Sequence, residues 1–258
     1  MWTAGVIAAL VLSAAIGLSL GLVGGGGSII TVPILVYVAG LSVPQSVALS
    51  LAIVGATAAV GSTVQIREGN VHLQAAAVFG VTGMVGAAGG ARLTPLVPGP
   101  VLMVLFAALL VAVGLRMLRG QDEPDEPLRA ECHVLKCALV GLMLGGLTGF
   151  LGVGGGFLIV PVLLRFAKLP TRQAVGTSLL IIAANSASGF LEHLTEMQGL
   201  LGVAAAFIGV AVGGMFAGLT LARRMQPAGL KMVFGGMSLA VAACLIAMNA
   251  GPLWRLLT

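Results

Sequence analysis

Residues 149–164 read GFLGVGGGFLIVPVLL, and residues 21–35 read GLVGGGGSIITVPIL. Both stretches carry a glycine cluster, then a short apolar run closed by proline, with no charged residue among them. They stand 128 residues apart, and the register extends well beyond them. Shifting the chain by 128 aligns residues 17–61 with 145–189 without a gap, and 18 of those 45 pairs are identical. The matches include Gly21/Gly149, Gly24/Gly152, Gly26/Gly154, Gly27/Gly155, Pro33/Pro161, Gln45/Gln173, Ser50/Ser178 and Gly61/Gly189. Shared apolar composition produces scattered coincidences of Leu, Val and Ala, but not Gly, Pro, Gln and Ser in register. The chain reads as two copies of one unit.

The composition around these stretches excludes a soluble domain. Of 258 residues 59% are hydrophobic and 8% are charged, with 13 Lys and Arg against 8 Asp and Glu. Mean hydropathy is +1.12. Soluble domains carry roughly 25% charged residues, because a dispersed surface needs them. A helix crosses the hydrocarbon core with ~20 apolar residues, so a chain of this length holds about eight to ten such segments. The apolar runs are continuous, without the alternation of a transmembrane β-barrel. The 39 glycines suit close helix packing. The expected fold class is an all-α integral membrane protein, a polytopic helical bundle.

Each unit divides into five hydrophobic segments, at residues 4–23, 29–40, 45–65, 71–92 and 101–118, and at 135–151, 157–167, 173–191, 199–222 and 229–248. The expected organisation is a first transmembrane repeat over 1–118, a polar linker over 119–133 and a second repeat over 134–258. The linker holds five of the eight acids, together with Pro124 and Pro127. The second segment of each unit is too short to cross unaided, and it follows a glycine cluster that weakens helix formation. The first two segments therefore form a broken pair, either two helices or a re-entrant loop.

Basic residues favour cytoplasmic loops, and equivalent loops of the two units carry them unequally. Arg165, Lys168 and Arg172 precede the third segment of the second unit, and Arg223, Arg224 and Lys231 lie between its fourth and fifth. The first-unit counterparts carry only Arg92, whereas its third and fourth segments are joined by a loop with Arg67. The two repeats are thus expected to be inverted, with three spans plus a hairpin, or five spans, in each. The linker then faces the cytoplasm, both termini lie on the non-cytoplasmic side, and Trp2 and Trp254 anchor that interface. No Lys or Arg precedes Arg67, so no signal-peptide basic region is expected. The net charge of +5 follows from this loop bias and does not indicate a nucleic-acid partner. Cys132, Cys137 and Cys244 fit no disulfide or zinc spacing.

Inverted repeats with interrupted helices are the architecture of alternating-access transporters, whose site lies between the repeats. The candidate substrate-binding backbone is Gly24, Gly25, Gly26, Gly27 and Ser28 in one unit, and Gly152, Gly154, Gly155 and Gly156 in the other. Each cluster precedes a short helix, whose first N–H groups and positive dipole end favour an anion. Polar residues that line a path would be Gln45, Ser50 and Thr57, and their counterparts Gln173, Ser178 and Asn185, with Thr177 in the second unit only. Other glycines at four-residue spacing (Gly17/Gly21, Gly141/Gly145, Gly86/Gly90, Gly209/Gly213) are expected to pack helices. Glu192, His193 and Glu196 form a helix end that is solvated or passes protons. Arg67 and Glu68 are expected to pair at the interface.

The two glycine–proline stretches, each followed by a Gln–x–Val–x–x–Ser segment, with AVGTSLLII at 174–182, resemble the sulfite exporter TauE/SafE family of bacterial membrane permeases. The resemblance covers nearly the whole chain and recurs in both halves. It implies an anion permease of the bacterial plasma (inner) membrane, exporting sulfite or an organosulfonate, and it carries over the two glycine clusters with Pro33 and Pro161, plus Gln173, Thr177 and Ser178. The expectation is a secondary transporter with a small sulfur oxyanion or organosulfonate as substrate, the lipid bilayer as partner and protons as a candidate coupling ion. No cofactor, metal or enzymatic activity is expected, since the apolar segments offer no acid pair or nucleophile set. The alternative is an anion channel, or an importer of a different small anion with the same fold.

Overall fold

The structure is a computed structural model that describes residues 4–25, 27–91, 99–119, 134–151, 156–192, 197 and 201–257. The expected segments are helices: α1 (Ala4–Val23), α2 (Gly27–Pro33), α3 (Val43–Arg67), α4 (Leu73–Ala91), α5 (Gly99–Leu118), α6 (Val134–Leu151), α7 (Gly156–Phe166), α8 (Thr171–Glu192), α9 (Leu201–Arg224) and α10 (Pro227–Leu257). Six of them are long and apolar enough to cross a membrane. Side chains such as Val11, Leu135, Met143 and Leu201 point outward from the bundle, as a lipid-facing surface requires. The protein is a polytopic helical membrane protein. Residues 120–133, which include most of the proposed linker and Cys132, lie outside the described residues, as do Trp2, His193 and Glu196.

Local chemistry sets the helix ends. α1 stops where Gly24 takes φ +76° while its N–H still bonds to Leu20 O at 2.8 Å, a left-handed cap that glycine adopts without strain. After Pro33, which lacks an N–H, α2 widens into a π-helical turn over Ile34–Val38, with Ala39 N bonded to Ile34 O. The short helices of the two units then end alike. Gly40 (φ +70°) and Lys168 (φ +51°) are equivalent positions, and both are left-handed. Leu41 N bonds to Leu35 O at 3.1 Å, and Leu169 N to Leu163 O at 3.2 Å, so each copy closes with a bond one residue wider than that of a Schellman cap. Ser42 and Gln45 form a reciprocal capping box that starts α3.

The broken pair is a helical hairpin, which settles the choice between two helices and a loop in the first unit. A Cβ placed on Gly27 would touch Ile16 O and Leu20, and one on Gly5 would touch Val38 O. α2 and its π-turn therefore run back along α1 to the end where α1 began.

Packing pairs helices from opposite halves. α1 lies on α9, α4 on α6, α3 on α8, and α5 on α10. Exchanging the two halves maps this set onto itself: α1–α9 becomes α6–α4, while α3–α8 and α5–α10 map to themselves. The α1–α9 crossing is built on glycine. A Cβ on Gly17 would lie 1.8 Å from Ala211 O, one on Gly214 2.1 Å from Ala14 O, and one on Gly218 2.3 Å from Leu18 O. The α4–α6 crossing repeats it, with Gly145 2.0 Å from Gly83 O and Gly86 2.2 Å from Leu142 O. Gly145 is the counterpart of Gly17, and Gly86 that of Gly214. The expectation for Gly209 and Gly213 is corrected: both are exposed, with nothing near a Cβ, and Gly214 and Gly218 form the contact instead. One residue along a helix rotates a position by 100°, which is enough to exchange the packed face for an exposed one.

The equivalent helices α3 and α8 run antiparallel. Gly189 lies against Leu51, Gly55 against Ser186, and Gly61 against Leu179. α5 and α10 do the same, Gly114 meeting Leu239 and Gly235 meeting Leu118. The buried core follows from these contacts, with Ile16, Leu20, Leu163, Leu179 and Phe234 in its larger cluster.

Candidate functional site

Ser178, one of the matched polar residues, sits where the two halves meet. Its hydroxyl is 2.9 Å from Gly24 O and 2.7 Å from Val175 O, and shares one proton between the carbonyls. A Cβ on Gly24 would lie 2.5 Å from this oxygen. α8 of the second half is thereby tied to the break between α1 and α2 of the first. Gly24, Gly25 and Gly27 are buried there, and Gly156 is buried at the start of α7. Gly26, Gly152, Gly154 and Gly155 lie outside the described residues, and so does the side chain of Ser28.

Asn185 is seven residues from Ser178, hence two turns along the same face of α8. Ser50 and Thr57 bear the same relation on α3. Thr57 and Asn185 are repeat counterparts, next to the Gly55–Ser186 crossing in the middle of the two antiparallel helices. Thr57 Oγ1 and Asn185 Oδ1 are buried and have no hydrogen-bond partner among the described residues. Other hydroxyls in the helices are satisfied at home: Ser13, Ser19, Thr31, Ser62, Thr82 and Thr220 each donate to a carbonyl three or four residues earlier. An unmet polar atom inside a bundle costs about 1–3 kcal/mol, and this pair recurs at corresponding positions. Ser46 and Ser238 also lack partners, but Ser46 has Ala174 as its counterpart, so it is not half of a polar pair.

Three expected path residues have other positions. The Gln45 side chain closes the capping box of α3. Thr177 is rotated from Ser178 toward α4, where its Oγ1 accepts from His72 N at 3.0 Å. Gln173 is half-buried in the first turn of α8. Gly176 explains why the second copy reads Gly–Thr–Ser where the first reads Ala–Leu–Ser: a Cβ there would lie 2.3 Å from Asn70 O. The α3–α4 turn thus packs on α8. His72 starts α4 in turn, its Nδ1 accepting from Ala75 N at 3.1 Å, a role its sequence context gave no sign of.

At one end of the bundle the sequence reading missed a cluster. Glu68 pairs with Arg223 of α9, not with its neighbour Arg67 as expected. Arg172 at the start of α8 donates to Arg223 O at 3.2 Å, a cation on the last turn of α9. Asn70 Nδ2 donates to Gln65 Oε1 at 3.1 Å and to Glu68 Oε2 at 3.4 Å. These groups rim a shallow, open vestibule with a cavity volume of about 40 Å³, with Leu22, Val175, Leu219, Ala222 and Leu230 below them. Leu22 and Val175 lead directly to the Gly24–Ser178 joint. The partners stand 155 residues apart in the chain, and nothing local to Glu68 announces Arg223. Among the described residues, no group of three or more His, Cys, Asp or Glu side chains comes together.

A bundle of duplicated helices, with interrupted hairpins and polar groups at the contact between halves, defines a polytopic membrane protein of the transporter class. The sequence profile described as Sulfite exporter TauE/SafE matches residues 9–245, and the chain belongs to that family. A "Probable membrane transporter protein" of Xylella fastidiosa strain Temecula1 is 35% identical over 242 residues, covering 90% of this chain and 91% of the relative. "Probable membrane transporter protein YdhB" of Bacillus subtilis is 26% identical over 187 residues, covering 70% and 76%. "Probable membrane transporter protein MJ0441" of Methanocaldococcus jannaschii is 27% identical over 180 residues, covering 67% of each chain. No solved structure matches the chain. The protein is a multi-pass membrane transporter.

Proposed function

We propose that the protein is a secondary transporter exporting a small sulfur-containing anion, sulfite or an organosulfonate, across the bacterial plasma membrane by alternating access. The observation that carries this reading is the pair Thr57 and Asn185. Two buried, unpartnered polar atoms lie at corresponding places on antiparallel helices, on the faces that carry Ser50 and Ser178; the Thr57 hydroxyl donates to an anion there, and the Asn185 carboxamide does so once a half-turn exchanges Oδ1 for Nδ2. The N-termini of α2 and α7, which follow the glycine clusters, add a positive potential that favours an anion. The antiparallel packing of α3 on α8 supports inverted repeats over 1–118 and 134–258, because equivalent spanning helices lie parallel when their axis follows the membrane normal. Ser178 and Thr177 act as positioning residues in this scheme. Protons are the proposed coupling ion.

The test is uptake into proteoliposomes of sulfite, thiosulfate, sulfoacetate, taurine and chloride, with and without a pH gradient. Thr57→Val and Asn185→Leu remove the unpartnered atoms. Replacing an unmet polar atom by an apolar group is neutral or stabilising for the fold. The variants are therefore expected to keep or raise the thermal midpoint while saturable flux falls by about tenfold or more, as when a binding hydrogen bond worth about 1.5–3 kcal/mol is lost. Unchanged flux in both variants rules out the site. Flux that rises linearly with concentration, without saturation, identifies a channel in place of a carrier.

A further inference from the structure

The vestibule at the arginine-bearing end is distinct from the Thr57–Asn185 region, and the polar groups at its rim are unequal in charge. Arg172 and Arg223 line it with a single carboxylate, Glu68, which pairs with Arg223 while Arg172 donates to Arg223 O. The Arg223 and Glu68 side chains are 54% and 32% exposed, so both partners remain in reach of water. The Glu68 carboxylate accepts from the Asn70 side-chain amide and from the Arg223 guanidinium. The surrounding backbone is anchored independently. Gly69 makes the turn at φ +73°, Asn70 N bonds to Gln65 O, and His72 N is held by Thr177. The Glu68 side chain can therefore leave Arg223 by rotation about its own bonds, without moving the α3–α4 turn.

We propose that this vestibule is an anion-entry site, and that the Glu68 carboxylate is a tethered competitor for it. The Arg223 guanidinium that Glu68 occupies receives the incoming oxyanion, with Arg172 alongside. The proposal rests on the reading of the protein as an anion transporter and adds to it a second, peripheral site. The chemistry is an exchange of like for like. A guanidinium binds a carboxylate or a sulfur oxyanion through the same planar fork of donors, so arrival of the substrate replaces the bond that departure of Glu68 breaks. The Arg223 charge is never left bare, and the displaced Glu68 carboxylate, 32% exposed, is taken up by water and the Asn70 amide. Excess positive charge at the mouth concentrates anions there. Leu22 and Val175 close the floor, and they part to admit the anion toward Gly24 and Ser178 only when the halves rearrange. With no anion present, Glu68 closes the rim between α3, α8 and α9, which come from both halves of the chain. Entry is thereby linked to contact between the halves.

The experiment measures labelled sulfite flux in inside-out and right-side-out membrane vesicles, for wild type, Glu68→Gln and Arg223→Gln. Removing the competitor is expected to lower the half-saturating sulfite concentration about two- to five-fold, the worth of an exposed ion pair. The change should appear only at the face that carries Arg172 and Arg223. Arg223→Gln is expected to raise it about tenfold at that same face, as loss of a charge-assisted bond does. Arg223→Lys, which keeps the charge but loses the fork, serves if Glu68→Gln fails to reach the membrane, and should raise the same constant. Wild-type flux with half-saturation unchanged in these variants overturns the proposal, and so does an equal change at both faces, which marks a purely structural brace. Absence of saturable flux of any anion by the wild type is a different outcome, and overturns the transport reading on which the proposal stands.

Discussion

Ser178 serves two carbonyls with one proton, and one of those carbonyls belongs to the other half of the chain. At this scale a single hydroxyl is the join between α8 and the α1–α2 break. Ser178→Ala is expected to cost about 1 kcal/mol, the net worth of a hydrogen bond, or more if Gly24 O is left unmet. Gly24→Ala is expected to cost about 1–2 kcal/mol for the left-handed backbone alone, plus displacement of the Ser178 hydroxyl. Thermal unfolding in detergent reads both. A Gly24→Ala protein as stable as wild type would refute the cap geometry. The identity of Ser50 with Ser178 and of Gly24 with Gly152 was legible in the repeat. The bond from Ser178 to Gly24 was not, because it joins different copies and no periodicity relates them. The same reason hid Glu68–Arg223 and the bond from His72 N to Thr177, whereas the Gln45 cap joins residues only three apart.

Among the elements, glycine has two uses that spacing does not separate. Gly17, Gly214 and Gly218 lie at helix crossings where a carbonyl occupies the space of a side chain, while Gly209 and Gly213 are on an exposed face of α9. Membrane helices associate chiefly through such close packing. Gly17→Val or Gly214→Val must push α1 from α9, and overpacking of this kind costs about 1–3 kcal/mol or more. The expected result is a marked loss of folded protein on size-exclusion chromatography in detergent. Gly209→Ala and Gly213→Ala are expected to be neutral or to stabilise by about 0.5–1 kcal/mol through helix propensity. Equal damage from both sets would show that the crossing is not where α1 and α9 meet. Helix ends, by contrast, were read within a few residues from sequence, because proline, glycine and capping side chains act on backbone only a turn away; the exception is α10, which runs to Leu257, nine residues past the expected end at 248.

Across the whole molecule, packing gathers the cationic helix ends together. α3 and α9 end at the Glu68–Arg223 pair, α8 begins beside it, and Leu118 near the end of α5 packs on Gly235 near the start of α10. Arg67, Arg116, Arg172, Arg223 and Arg224 therefore share one end, while α1 begins at the other. The positive-inside bias supports the proposed cytoplasmic placing of that end, with both termini outside. Alkaline phosphatase fused at either terminus should be active, and a fusion after Leu118 inactive. An inactive N-terminal fusion would invert the proposed topology and exchange the faces named for the vestibule.

Membrane residence, the duplication, the ten helical segments and the family resemblance were determined by sequence alone. Each follows from composition or from relations at short range and fixed offset: hydropathy over one span, caps within one turn, identity at 128 residues. Partnership was decided only by the tertiary structure. Which helix lies on which, that Thr57 and Asn185 go unmet while other hydroxyls bond at home, and that Glu68 reaches Arg223 depend on three-dimensional neighbours. In a chain this uniformly apolar the pattern that selects a neighbour is the shape of a glycine groove, and shape complementarity leaves no periodic trace along the sequence.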